Sequence, residues 1–176
     1  MMGHELQPFL QNDMVCLRPL QAKDFVPLYR VASDASIWEQ HPDKKRHTLS
    51  GFVKFFSESI KSNGALWIED VENGKCIGSS RFKVLNDFPN AVEIGWTFLS
   101  RKYWGGTHNF AIKQLMLDHA FQYFKEVVLF VDFENVRSLK AVEKLGRMLS
   151  EELRFKKEIT KGNDNITYRF QKKHSD

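Results

Sequence analysis

The chain has 176 residues, 42% of them hydrophobic and 27% charged, with a formal net charge of +4. That length suits one domain, 1–176, with a sizeable core, and the composition excludes a disordered or fibrous chain. The excess of basic residues is scattered over short runs at 44–46, 156–157 and 172–173, which do not argue for nucleic acid, although a mildly positive surface attracts small anions.

Residues 1–12 lack the charged start and apolar core of a leader and are expected to be a flexible or loosely packed N-terminus. No apolar run reaches the ~20 residues that a membrane helix needs. Cys16 and Cys76 stand alone, outside any C-x-x-C, and read as buried thiols of a reducing, cytoplasmic compartment. The six histidines form no H-x-x-x-H or Cys/His cluster, so no metal is expected.

A first strand is predicted over 14–20, then a helix over 25–33 with Phe25, Leu28, Tyr29 and Ala32 on one face. A short helix over 36–41 is stopped by Pro42. Thr48 or Ser50 caps a helix over 52–62 that turns Phe52, Phe55, Phe56 and Ile60 inward, and Asn63-Gly64 closes it. Strands over 65–70 and 76–85 form a hairpin around Glu72-Asn73-Gly74. The next strand, 92–99, is rich in β-branched and aromatic residues. It leads through the turn Arg101-Lys-Tyr-Trp-Gly-Gly-Thr-His108 into a helix that starts at Phe110 and ends near Tyr123, with Ile112, Leu115, Met116, His119 and Ala120 on one face. An apolar strand over 126–132 follows. Asn135 then caps a helix that runs to Leu145, with Gly146 at the C-cap position. Strands over 148–156 and 165–171 close the chain. About seven strands with helices between them give an α+β fold built on a mixed, mostly antiparallel sheet.

The turn at 101–108 carries the chemistry. Two adjacent glycines between a strand and a helix N-terminus allow positive φ and close approach of a ligand, and the unpaired first N–H groups of the helix favour an anion such as a phosphate. The same glycines also suit a plain tight turn. Neither G-x-x-x-x-G-K-[ST] nor G-x-G-x-x-G is present.

This strand-turn-helix segment resembles the acetyl-CoA-binding segment of the GNAT superfamily of N-acetyltransferases, whose loop reads Q/R-x-x-G-x-G/A. Lys102, Gly105 and Thr107 occupy its three marked positions, two of them with departures. The stretch from Asn135 through Ser138 to Gly146 resembles the family's N-x-x-S/A-x-x-x-x-x-K-x-G. The Tyr-Trp-Gly at 103–105 and Asn109 are similar to the branch that acetylates N-terminal alanines of ribosomal proteins.

The resemblance covers nearly the whole chain. It implies a GNAT-type sheet splayed between the fourth and fifth strands, acetyl-CoA as co-substrate and no metal. It places Phe98, Leu99, Lys102, Trp104, Gly105, Gly106, Thr107, His108, Asn109, Asn135 and Ser138 around the cofactor. Glu93, on a largely apolar strand, is the candidate general base. The position of the family's tyrosine acid is taken by Val142, which leaves Ser138 or Tyr103 to protonate the thiolate. Trp38, Glu39, His41, Trp67, Arg81 and Phe155, from the early helices and strands and the last hairpin, are the acceptor-site candidates, with Glu39 and aromatic neighbours suited to a cationic amine. The implied activity is acetyl transfer to a primary amine, at a peptide or protein N-terminus. The alternatives are a small amine such as a polyamine or antibiotic, and an acyl-CoA-binding module without chemistry. A monomer or homodimer is expected.

Overall fold

The computed structural model describes residues 4–88 and 90–173. Among the described residues eight strands form one sheet: β1 (Leu10–Gln11), β2 (Val15–Pro19), β3 (Ala65–Asp70), β4 (Lys75–Val84), β5 (Ala91–Leu99), β6 (Glu126–Asp132), β7 (Leu153–Ile159) and β8 (Asn165–Lys172). Their order is β1-β2-β3-β4-β5-β6-β8-β7. All neighbours are antiparallel except β5 and β6. This is the expected mixed α+β sheet with one strand more than predicted.

The extra strand is the two-residue β1, paired to β2, within the stretch expected to be flexible or loosely packed. His4 packs on Phe124 at 4.5 Å, the Glu5 carbonyl lies 2.6 Å from the His119 ring nitrogen, and Gln7 donates to the Ala65 carbonyl. Residues 1–3 lie outside the described residues.

Four helices cover the two faces: α1 (Phe25–Ala32), α2 (Leu49–Lys61), α3 (His108–Ala120) and α4 (Val136–Met148). On one face α1 and α2 bury Leu28, Phe52, Phe55 and Phe56 with Trp67 and Phe98. On the other, α3 and α4 bury Ile112, Met116, Val142 and Leu145 with Ile68, Ile94 and Leu129. Each such side chain contributes ~1.5–3 kcal/mol relative to exposure. Thr48 caps α2 by accepting from Gly51 N–H, and Ser50 lies inside the helix.

Two predicted details differ. The helix expected over 36–41 is replaced by single 3₁₀ turns at Ala35–Ile37 and Lys44–His47, because Asp34 and Asp43 each cap a new turn and Pro42 separates them. Gly146 lies within α4 instead of ending it, and a Cβ there would sit 2.5 Å from the Phe155 ring. Its smallness lets β7 approach the helix.

The feature that positions the site lies in mid-sheet. β5 and β6 pair only through Ala91, Val92 and Glu93 with Glu126, Val127 and Val128. β5 then carries a bulge. Ser79 faces Phe98 and Arg81 faces Gly95, so Trp96 and Thr97 together oppose Ser80. Trp96 has φ +52, a strain of ~1–3 kcal/mol for such a residue, held by the Arg81 guanidinium 4.4 Å above its ring. The extra residue bends the end of β5 away from its neighbour, so the predicted splay falls between β5 and β6.

Candidate active site

The diverging ends of β5 and β6 open a cavity of about 370 Å³. Its walls are the end of β5, the turn before α3, the inner sides of α3 and α4, the end of β6, and the segment around Trp38, His41 and Arg46. Beyond Glu93 the β6-facing edge of β5 has no strand partner, and Phe98 and Leu99, which line the cavity, pair only with β4.

The turn before α3 is open ground. Gly105 has φ +68, which glycine adopts without steric cost, and a Cβ on Gly105 or Gly106 would meet nothing within 4 Å. The N–H groups of Gly105, Gly106 and Thr107 donate no hydrogen bond among the described residues. They stand at the start of a 13-residue helix, where the helix dipole favours negative charge. Trp104 pins the turn by donating from Nε1 to the Leu99 carbonyl at 2.9 Å, and its ring carries the Arg137 guanidinium at 3.9 Å. Gly105, Gly106, Thr107 and Asn109 line the cavity. Lys102 and His108 do not; they pack on the Tyr103 ring at 5.4 Å and 4.7 Å.

From the opposite wall, Asn135 caps α4 by accepting from Ser138 N–H at 3.2 Å, and both residues line the cavity. Arg137 ties the same helix end to the early segment, donating to the Ile37 carbonyl at 2.6 Å.

The ionisable groups differ in their access. Glu93 is 9% exposed, and burial raises its carboxyl above the usual range against the lowering effect of Lys83 and Arg81. It lies outside the cavity lining, tucked against Gly95, where a Cβ would be 2.9 Å from its Oε1, and Gly95 itself lines the cavity. Tyr103 belongs to the lining, but its hydroxyl donates to Asp70 Oδ2 at 2.6 Å, and burial and that bond both raise the phenol. The proton of Tyr103 is thus aimed at Asp70, which is not part of the lining. Burial, followed by the charge of Arg46, lowers His41 to about 4.

Of the residues expected at the acceptor end, Trp38 and His41 line the cavity. The other four do not. Glu39 is exposed; Trp67 is buried under the Arg18 guanidinium; Arg81 is buried and donates to Ser59 Oγ; and Phe155 stacks on Tyr168 at 5.7 Å in the final hairpin. Trp67 and Arg81 lie in the core because aromatic and cationic side chains of the early elements serve the α1–α2 layer as readily as a cleft.

A family model described as an acetyltransferase (GNAT) domain matches residues 14–148, from the start of the first long strand to the end of α4. The chain belongs to the GNAT acetyltransferases. No curated protein matches it in sequence. Among solved structures, a GCN5-related N-acetyltransferase from Brucella melitensis is similar with a TM-score of 0.73 and 18% identity, covering 93% of this chain and 77% of that one. Ribosomal-protein-S5-alanine acetyltransferase from Vibrio fischeri gives 0.67 and 17%, covering 94% and 97%. Spermidine N-acetyltransferase from Vibrio cholerae, solved with CoA and spermine, gives 0.63 and 16%, covering 90% and 95%. At these identities the likeness is one of fold.

The residues present fit the co-substrate of a GNAT enzyme. Free N–H groups and open space at the turn suit a diphosphate, and the unladdered edge of β5 offers N–H and C=O groups to an amide-bearing arm. Reading the sequence missed Thr97, Arg46, Arg137 and above all Lys113, each of which lines the cavity. Lys113 carried a signal: it stands in step with Phe110, Leu117 and Ala120 on α3, so a charge falls where the helical period calls for an inward residue.

Proposed function

We propose that this GNAT enzyme transfers the acetyl group of acetyl-CoA directly to a primary amine, and that the amine is the N-terminus of a peptide or protein. The observation that carries the reading is the cavity at the β5–β6 split, which joins the open turn of α3 to the Trp38–His41 end. The charges around it favour a peptide over a polyamine. Arg46, Lys113, Arg137 and Lys144 line the cavity against a single carboxylate among the described residues, Asp132, and a polycation gains little from such walls.

In this reading the N–H groups of Gly105, Gly106 and Thr107 hold the diphosphate, and Asn135 and Ser138 flank the arm. The backbone N–H of Leu99, on the edge of β5 that faces away from β4, holds the thioester carbonyl, where negative charge grows as the amine adds. Glu93, its carboxyl raised by burial, takes a proton from the acceptor ammonium through one water beside Gly95.

Calorimetric titration with acetyl-CoA, followed by thiol release against a panel of peptides and small amines, tests the reading. Turnover with peptide N-termini is expected. Turnover only with polyamines would replace the acceptor, and binding without any turnover would leave a CoA-binding module. Glu93→Gln is expected to lower kcat by ~10²-fold with the KM for acetyl-CoA unchanged; an unchanged kcat would remove the base role.

A further inference from the structure

The floor of the cavity holds a cation that the proposed chemistry has not used. Lys113, on the second turn of α3, is 5% exposed and shares the lining with Thr97, Phe98, Leu129 and Val142. Its Nζ donates to Thr97 Oγ1 at 2.5 Å, and that hydroxyl pairs with Ser80 Oγ at 2.7 Å. Among the described residues no carboxylate lies within ion-pair distance of Lys113. Burial alone brings its amine down to about 7. A buried ammonium with one neutral partner is costly to maintain and is stabilised by any anion that forms beside it.

Direct acyl transfer forms such an anion. As the acceptor nitrogen adds to the thioester carbon and the carbon–sulfur bond breaks, the electron pair leaves on sulfur as a thiolate. Resting on the acetyl-CoA reading above, we propose that Lys113 is the general acid of this site: its ammonium faces the departing sulfur and gives it a proton. The acceptor nitrogen sheds two protons in all: Glu93 takes the first from the ammonium and passes it to solvent, and the second, lost as the amide forms, recharges the lysine through solvent, so the net products are the amide, the free thiol and one proton.

The other ionisable groups around the cavity do not compete. Tyr103 is bonded to Asp70; His41 is held neutral by burial and Arg46; Asp132 is a carboxylate at the end of β6; and Arg46, Arg137 and Lys144 are on the opposite walls, on the early segment and α4. Lys113 is the one lining group, among the described residues, that exchanges a proton near neutral pH and has no acidic partner.

The test reads the thiol directly. CoA is titrated in complex with the wild-type protein and with Lys113→Met, following thiolate absorbance in the ultraviolet against pH, beside kcat with wild-type levels of bound acetyl-CoA. In the wild type the bound thiol is expected to ionise at least tenfold more readily than free CoA, and the variant to lose that effect together with ~10²-fold in kcat. Lys113→Arg keeps the cation but holds its proton too tightly to give it up, so the thiol effect should persist while kcat stays low. CoA binding with the same thiol titration in all three proteins would overturn the role of Lys113 and leave the acetyl-CoA reading standing. No CoA binding by the wild type would overturn that reading and the inference with it. Recovery of acetylated Lys113 from turnover mixtures would also overturn it, since an amide carries no transferable proton.

Discussion

A lysine amine lowered from an ordinary 10.5 to about 7 destabilises the fold at every pH at which the unfolded chain would be charged there. The unfolded state binds the extra proton between these values, so stability contributed at this residue rises as pH rises from 7 to 10.5, and the cost is full below 7. Lys113→Met keeps the unbranched apolar stem, though not its last atom, and removes the charge. It should therefore stabilise the protein, by up to roughly 4 kcal/mol near pH 7 and by almost nothing near 10.5. Urea unfolding of the two proteins at both pH values checks this, and equal stability at pH 7 would show that the amine is charged without penalty. A residue that costs stability while sitting in the site is what a functional group, rather than a structural one, looks like. Glu93 behaves in the same sense more mildly, since burial raises it and it lies outside every ion pair among the described residues.

Two glycines separate the structural from the functional use of the same residue. At Gly146 a Cβ would strike the Phe155 ring at 2.5 Å, so Gly146→Ala should cost ~1–3 kcal/mol by overpacking α4 against β7, with acetyl-CoA affinity per folded molecule unchanged. At Gly106 a Cβ meets nothing and the φ is not in the left-handed region, so Gly106→Trp should leave the unfolding midpoint in place and abolish acetyl-CoA binding by filling the ground before α3. Binding by that variant would unseat the diphosphate assignment. These elements were legible in sequence to different depths. The strands, α2 with its Thr48 cap, and the turn at 101–108 follow from period, cap and glycine signals, which are local. Gly146 read as a helix stop because its partner, Phe155, comes from another element. Trp67 and Arg81 read as acceptor residues because a side chain's type does not say which face of the sheet it takes. Lys113 went unnoticed for a related reason: its chemistry lies in the absence of a counter-charge, which only the packed α3–β5 interface reveals.

At the scale of the molecule the sheet is two halves, β1 to β5 and β6 to β8, joined by three residue pairs and by α3 and α4 packed across the joint. The cavity lies where that joint fails. A ligand seated on the open turn and along the free edge of β5 touches groups from both halves, binds the folded chain and not the unfolded one, and so adds to stability by mass action. At a hundred times its Kd, acetyl-CoA should contribute ~2.7 kcal/mol and raise the thermal midpoint by roughly 5–10 °C for a chain of this size. The shift should weaken with added salt, since the turn attracts the diphosphate by charge and by the dipole of α3. Hydrogen exchange localises the effect: amides from Trp96 to Leu99, which lack a β6 partner, should gain protection with ligand, while those of Val127 and Val128, already laddered, should change little. Protection confined to α1 and α2 would move the ligand to the other face of the sheet and detach the free edge of β5 from cofactor binding.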